Sequence, residues 1–348
     1  MNINRRELLQ LLAYGGLGLT TVRSDTVLAD VRAQAIVPPR LKSGDVVGLV
    51  SPAGITRSKD KLRIIEETLA ALDLKLHVDE HAMDRWGYLA GQDEIRAEAI
   101  NKMYRDPDVD AILTFIGGWG CARLLPYLDY DMIQKHPKII MGFSDVTALL
   151  LAIYAKTGGV TFHGPSGRSG WNTFTVDYVK RLLFDAEAIT YKNPDDKGDN
   201  LTQVEDRIQT ITPGKTRGPL VGGNLTVLTA LMGSEYLPDW KGHILFLEDV
   251  GEGIYRIDRM MTQLKLAGVL NQIAGFVFGK CTDCDADSGY SSFTLEEVLE
   301  DHIKPLGIPA YQGAMIGHIA NKFTIPIGAN AELDADQGTI QLLEAAVV

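Results

Sequence analysis

Apolar and polar positions along this chain follow two alternating periods. From residue 44, short apolar runs rich in β-branched residues are separated by stretches with an apolar residue every three or four positions. "DVVGLVS" (45–51) reads as a buried strand ended by Pro52 and Gly54. In "SKDKLRIIEETLAALDL", Leu62, Ile65, Leu69 and Leu72 share one helical face, with charges between them. "LKLHV" (74–78) predicts a short strand, and "DEIRAEAINKMYRD" a polar-faced helix stopped by Pro107. "VDAILTF" (109–115) is a strand and "GWGCARLLPYL" opens a helix. "KIIMGF" is a strand, "DVTALLLAIYAKTGG" a helix and "VTFHGP" a strand. Such alternation implies right-handed βαβ units and a parallel sheet covered on both faces.

Ligands of such sheets gather at the carboxyl ends of the strands. Four polar loops map there: Ser51 to Gly54, Gly117 to Gly120, Ser144-Asp145, and His163 to Pro165. Between 187 and 217 the sequence turns polar and turn-rich, as in a linker. A second block follows with shorter alternation. "HILFLED" (243–249) and "IAGFVFG" are strands. "IYRIDRMMTQLKLAG" is a helix closed by Gly268, and "TLEEVLEDHI" is another. The expected fold class is α/β, with a parallel-sheet N-terminal domain at 36–186, a linker at 187–217 and a smaller, β-rich α/β domain at 218–348. The second domain does not repeat the first.

Length agrees, since 348 residues exceed one comfortable core. A formal net charge of -11 supplies no cationic stripe for phosphates, which argues against nucleic acid as partner. The N-terminus differs from the rest. Arg5-Arg6 precedes a weakly apolar, glycine-bearing stretch and then Ala33-Gln34-Ala35, the parts of a twin-arginine export signal over residues 1–35. That reading places the mature protein in the periplasm. The alternative is an amphipathic N-terminal helix of a cytoplasmic protein. The apolar stretch is too short for a bilayer crossing of ~20 residues, so no stable membrane insertion is expected. Cys281 and Cys284 form a lone C-x-x-C without the second half of a zinc site, and read as a structural pair or a facultative disulfide. Asp283 to Gly289 resembles the start of a calcium loop, but its glycine is one position late and its twelfth position is Thr294. No metal and no cofactor are expected.

Ser144 stands where a buried strand meets a helix. The first N–H groups of that helix lack intrahelical partners, and the helix dipole adds positive charge. A nucleophile beside an oxyanion site has this form. The match to G-x-S-x-G is incomplete, because Val146 holds the last glycine position. Gly142 suits a tight turn. The alternative is that Ser144 only N-caps its helix. A serine nucleophile needs a base and an orienting acid. Of seven histidines, His163 and His318 follow strands and face loops, whereas His77, His136, His243 and His302 read as structural. For the acid, Glu248 ends a very apolar strand, where a carboxylate is costly unless used or paired. Its alternative is an ion pair with Arg256 or Arg259. "IGGWG" is too incomplete for a dinucleotide loop.

Together, "IGGWGCARLLPYLDY", "KIIMGFSDVTALL", "GPLVGGNLTVLTALMGSEYLPD", "ILFLEDVGEGIYRIDRMMTQLKLAG" and "GHIANKFTIPIGANAELD" resemble the LD-carboxypeptidases of peptidoglycan recycling, whose relatives include microcin-immunity peptidases. The resemblance runs from about residue 45 nearly to the C-terminus. It implies a flavodoxin-like N-terminal domain, a cleft between domains, and a homodimer. It assigns Ser144 as nucleophile, Glu248 as acid and His318, not His163, as base. The oxyanion would be held by backbone N–H groups of Asp145 and of the glycine loop around Gly118. The implied substrate is a peptidoglycan-derived tetrapeptide, cut between an L-centre and its terminal D-alanine. Ile116 stands where the family often has Arg, and Trp119 where Tyr is common. Two alternatives remain. One is a peptidase for aminoacyl-adenylate analogues, with Trp171 or Trp119 stacking on adenine. The other is a non-catalytic exported muropeptide-binding protein.

Overall fold

The computed structural model describes residues 35–284 and 292–348. The expected export signal lies outside them apart from Ala35, as does most of the acidic run 283–289. In the first half the elements are β1 (Val46–Val50), α1 (Lys59–Ala70), β2 (Lys75–Val78), α2 (Asp93–Arg105), β3 (Ala111–Thr114), α3 (Tyr130–Lys135), β4 (Ile139–Gly142), α4 (Thr147–Thr157), β5 (Thr161–His163) and α5 (Thr173–Leu183). Then come β6 (Thr190–Lys192), β7 (Gln209–Thr212), β8 (Lys215–Asn224), α6 (Leu225–Ala230), β9 (Ile244–Val250), α7 (Ile254–Leu266), β10 (Gly275–Thr282), α8 (Leu295–Ile303), β11 (Ala310–Gln312), β12 (Ile325–Ile327), β13 (Asn330–Asp334) and β14 (Thr339–Leu342). Among the described residues no helix is long and apolar enough to cross a membrane.

The first sheet has the order β12-β5-β4-β3-β1-β2, and its five N-terminal strands are all parallel. The order 2-1-3-4-5 is that of flavodoxin-like folds, with the switch point between β1 and β3. Their interiors are covered on both faces, and so β3 and β4 read as unbroken apolar runs. The second sheet has eight strands in the order β6-β14-β13-β8-β9-β10-β11-β7, with β8 to β11 parallel and antiparallel strands outside them.

Two features depart from the sequence reading. The stretch 187–217 contributes β6, β7 and the start of β8 to the second sheet. β6 and β7 are edge strands, whose outward positions stay wet and so hide the strand pattern, and the polar residues 193–208 between them form no helix or strand. Residues 121–127 form a 3-10 segment, and α3 begins only at Tyr130. Pro126 inside that segment has no N–H to give and disfavours an α-helix.

Three pieces knit the sheets together. The α4 helix lies between them, packed on β5 and β8. Ala148 to Ala152 are wholly buried, which is why this helix is apolar on every side. Burying three consecutive leucines there contributes ~1.5–3 kcal/mol each. The β12 strand comes from the C-terminal half yet pairs antiparallel with β5, His163 opposite Ile325. Pro326 is tolerated because β12 is the edge of its sheet. Finally, the Asn224 N–H donates to the Thr147 hydroxyl at 3.0 Å, linking the end of β8 to the start of α4. The Cys281–Cys284 pair forms a disulfide at the end of β10.

Candidate active site

Ser144 follows β4 in a 3-10 turn that leads directly into α4. Its φ is +64°, a left-handed conformation that costs a β-carbon-bearing residue ~1–3 kcal/mol. The turn and the helix are both without a side-chain cap, so Ser144 does not serve as the N-cap. The sharp conformation falls on the serine itself and not on Gly142. Gly142 is needed for space, since a Cβ there would lie 2.2 Å from Thr114 Oγ1. Gly117 has a similar role on the neighbouring loop. A Cβ on it would come within 2.8 Å of Ser144 Cβ, so only glycine lets that loop rest on the serine.

The glycine loop is fixed from behind. Gly54 N–H, after β1, donates to the Gly117 carbonyl at 3.1 Å. Trans peptide geometry then aims the Gly118 N–H the opposite way. Arg96, from α2, is fully buried and bonds the carbonyls of Pro52, Gly91 and Gly120. One guanidinium thus satisfies three loops at the carboxyl edge of the sheet, helped by its ion pair with Asp93. The Asp145 side chain turns inward and accepts from the Cys121 N–H at 2.8 Å. Burial raises its pKa, opposed by that hydrogen bond and by Arg96. Asp145 therefore ties the serine turn to the end of the glycine loop.

Glu248 and His318 come from the second half. Glu248 is wholly buried near the end of β9, and its Oε2 lies 2.8 Å from His318 Nδ1. Its other oxygen accepts from Asn224 Nδ2 at 3.2 Å. Asn224 is itself oriented, because its Oδ1 accepts from Val227 N–H while Nδ2 also donates to Asp249. Glu248 makes no ion pair with either arginine considered for it; Arg256 pairs with Glu252. The His318 ring packs on Phe143 with centroids 4.8 Å apart, and Phe143 immediately precedes Ser144. β12 carries the segment after His318 onto the serine's own sheet. The imidazole keeps partial exposure, with 18% of its side chain accessible.

Ser144, His318, Gly117, Gly118 and Phe143 line one open cleft of about 400 Å³, with Ile116, Ser166, Arg168, Ser169, Ile319 and Lys322. His163 does not line it. It is buried against Phe143 and Phe246, with both ring nitrogens unpartnered, and burial lowers its pKa to about 4. The two tryptophans also separate. Trp171 is half-buried and donates to the Ser166 carbonyl. Trp119 is exposed and meets Tyr88 edge-on at 5.8 Å. Of the histidines read as structural, His302 pairs with Asp258 and His243 contacts Tyr154.

Sequence reasoning missed Arg96, Asn224, Thr147 and Lys322. Arg96 reads as one charge of a polar helix face, and only its burial sets it apart. Asn224 had a signal, because it follows two glycines at the end of a strand and precedes an apolar helix.

Comparison with known proteins agrees along the chain. The LD-carboxypeptidase N-terminal domain matches residues 47–164, and the LD-carboxypeptidase C-terminal domain matches residues 217–333. A probable murein peptide carboxypeptidase of Bacillus subtilis is 38% identical over 315 residues, covering 89% of this chain and 95% of that protein. The microcin C7 self immunity protein MccF in complex with aspartyl sulfamoyl adenosine superposes with a TM-score of 0.81 at 29% identity, covering 90% of this chain and all of that one. A muramoyltetrapeptide carboxypeptidase from Oxalobacter formigenes superposes with a TM-score of 0.73 at 26% identity, covering 85% of this chain and 97% of that one.

Proposed function

This chain belongs to the LD-carboxypeptidase family and is a carboxypeptidase, and on that premise we propose that it releases the terminal D-alanine of peptidoglycan tetrapeptides through a Ser144–His318–Glu248 triad. The observation that carries the triad is the buried Glu248 carboxylate 2.8 Å from His318 Nδ1, on a ring whose cleft also holds a left-handed Ser144. With Nδ1–H held by Glu248, the proton-free nitrogen is Nε2, the one a general base needs.

In this reading, His318 Nε2 takes the Ser144 proton as Oγ attacks the carbonyl carbon of the L-centre. The oxyanion is held by the N–H groups of Asp145 and Gly118. The C–N bond breaks, His318 returns the proton to the departing D-alanine nitrogen, and an acyl-enzyme remains. Water, deprotonated by His318, then attacks the ester carbonyl and restores the serine. Glu248 stabilises the imidazolium in both steps without itself taking the proton.

The Arg5-Arg6 signature supports action in the periplasm after export. Signal-dependent recovery of activity in that fraction is the expected result. A homodimer, expected from the family resemblance, would show as twice the chain mass by light scattering. A second reading, hydrolysis of aminoacyl-adenylate analogues, draws on the likeness to MccF and on the exposed Trp119–Tyr88 pair, whose faces suit a nucleobase.

The deciding experiment incubates residues 36–348 with a disaccharide tetrapeptide and, separately, an aminoacyl sulfamoyl adenosine, with Ser144→Ala alongside. Free D-alanine from wild type alone is expected. Turnover by folded Ser144→Ala would remove the serine from its role. Cleavage of only the adenosine compound would favour the second reading, and cleavage of neither would favour a binding protein.

A further inference from the structure

The cleft holds a cation that the proposed triad does not use. Lys322 is only 6% exposed, yet it lines the same cleft as Ser144 and His318. Its ammonium sits 4.1 Å from the centroid of the Phe143 ring, the ring that also packs on His318. Among the described residues no carboxylate lies within ion-pair distance of it. The nearest influence of that sign is Glu248, whose oxygens are committed to His318 and Asn224.

A buried ammonium without a counter-charge is costly, and a buried lysine is normally paired. Burial lowers the Lys322 pKa to about 8, with Glu248 opposing the shift, so at neutral pH most of it stays charged. The segment carrying it is rigidly held. Lys322 N–H donates to Thr175 Oγ1, the Ala320 carbonyl accepts from Asn172 and Thr175, and the Thr324 carbonyl accepts from Tyr191. The chain therefore holds a desolvated positive charge in place at the wall of the reaction cleft. On the glycine-loop side, Ile116, Gly117 and Gly118 offer no cation. Arg168 also reaches the cleft, but it is exposed, so water screens its charge.

We propose that Lys322 binds the free α-carboxylate of the residue to be released, and so makes the enzyme cut only at a chain terminus. This rests on the D-alanine-releasing reading above. A carboxylate is the anion that every carboxypeptidase substrate carries next to its scissile bond. A charge-assisted hydrogen bond to it in a desolvated site contributes a factor of about 10–100 in affinity. An ammonium on the Phe143 ring, one residue from the nucleophile, is placed to receive that group as the amide carbonyl approaches Ser144.

The test compares two tetrapeptides, one ending in D-alanine and one in D-alaninamide, with wild type, Lys322→Met and Lys322→Arg. Thermal unfolding verifies that each variant is folded. Wild type is expected to prefer the free acid by about 10–100-fold in kcat/KM, mainly through KM. Lys322→Met should lose that preference, its kcat/KM falling far more on the free acid than on the amide, and Lys322→Arg should restore part of it. A Lys322→Met enzyme that keeps the wild-type preference, or that slows equally on both substrates, would overturn the assignment. If wild type releases D-alanine but shows no preference, Lys322 alone is ruled out of the role. If wild type cuts neither peptide, the D-alanine-releasing reading fails, and this assignment falls with it.

Discussion

Replacing Glu248 by Gln changes one atom type in the buried layer behind His318 and little in shape. The surrounding hydrogen bonds determine how the new amide must sit. Val227 N–H fixes Asn224 Oδ1, so Asn224 Nδ2 must face position 248 and needs an acceptor there. The glutamine Oε1 supplies it, which leaves Nε2–H₂ pointing at His318 Nδ1. That nitrogen must then accept, and the imidazole proton moves to Nε2, where it blocks transfer from Ser144. The variant also loses the charge that steadies the imidazolium. Two unit charges about 4 Å apart at an effective dielectric constant of about 20 interact by about 4 kcal/mol. At about 1.36 kcal/mol per factor of ten, that alone is about 10³ in rate. With the wrong tautomer added, kcat should fall by about 10³–10⁴, while Tm changes little because a buried charge has also been removed. Continuous detection of released D-alanine gives kcat, and thermal unfolding monitors the fold. A folded Glu248→Gln enzyme with kcat within about tenfold of wild type would refute both the tautomer argument and the role of Glu248.

Gly117→Ala would place a Cβ 2.8 Å from Ser144 Cβ and 3.1 Å from its Oγ. The glycine loop must retreat, and kcat should fall at least about 10²-fold with an unchanged circular dichroism spectrum; near-normal turnover would show that the loop need not touch the serine. His163 supplies a pH dependence of stability. Its folded pKa of about 4 lies below its ordinary value of 6.5, so the unfolded chain binds the extra proton between those values. Stability from the neutral ring is complete above 6.5 and is lost as pH falls toward 4. Urea unfolding at pH 7.5 and 5 should show wild type losing about 2 kcal/mol more than His163→Phe. An equal loss in both proteins would mean that His163 is not held neutral.

Much of the fold was legible because its strands and helices carry different apolar periods. β1 to β5 and α1, α2 and α4 lie close to where those periods change, whereas α5 was not read from the sequence. The elements that were missed lack such a signal. β6 and β7 are short edge strands with wet positions, and the 3-10 segment at Cys121 looks helical until Pro126 is weighed. At the site, Ser144 stands just past the end of β4, where chemistry is expected, while His318 lies in the loop between β11 and β12. His163 ends β5, so strand-end position alone favours it over His318, and its burial and unpartnered nitrogens are what set it aside. Sequence alone cannot show that β12 leaves its own half of the chain. It therefore cannot show why His318 comes to share a cleft with Ser144.

The course of β12 has a mechanical consequence. Only Gly328 and Ala329 separate a strand hydrogen-bonded into the first sheet from β13 in the second, and both bond Leu220 of β8. Turning about this two-residue tether would break both of its hydrogen bonds to Leu220. The two sheets cannot swing apart like jaws to admit a bulky glycan strand, so access is governed by the loops around the cleft. The same tether sets how the polypeptide can be dissected. A fragment ending within 187–217 would leave the open edge of β5 as a bare ladder of backbone donors and acceptors. The two halves should be obtainable in soluble form only when they are produced together.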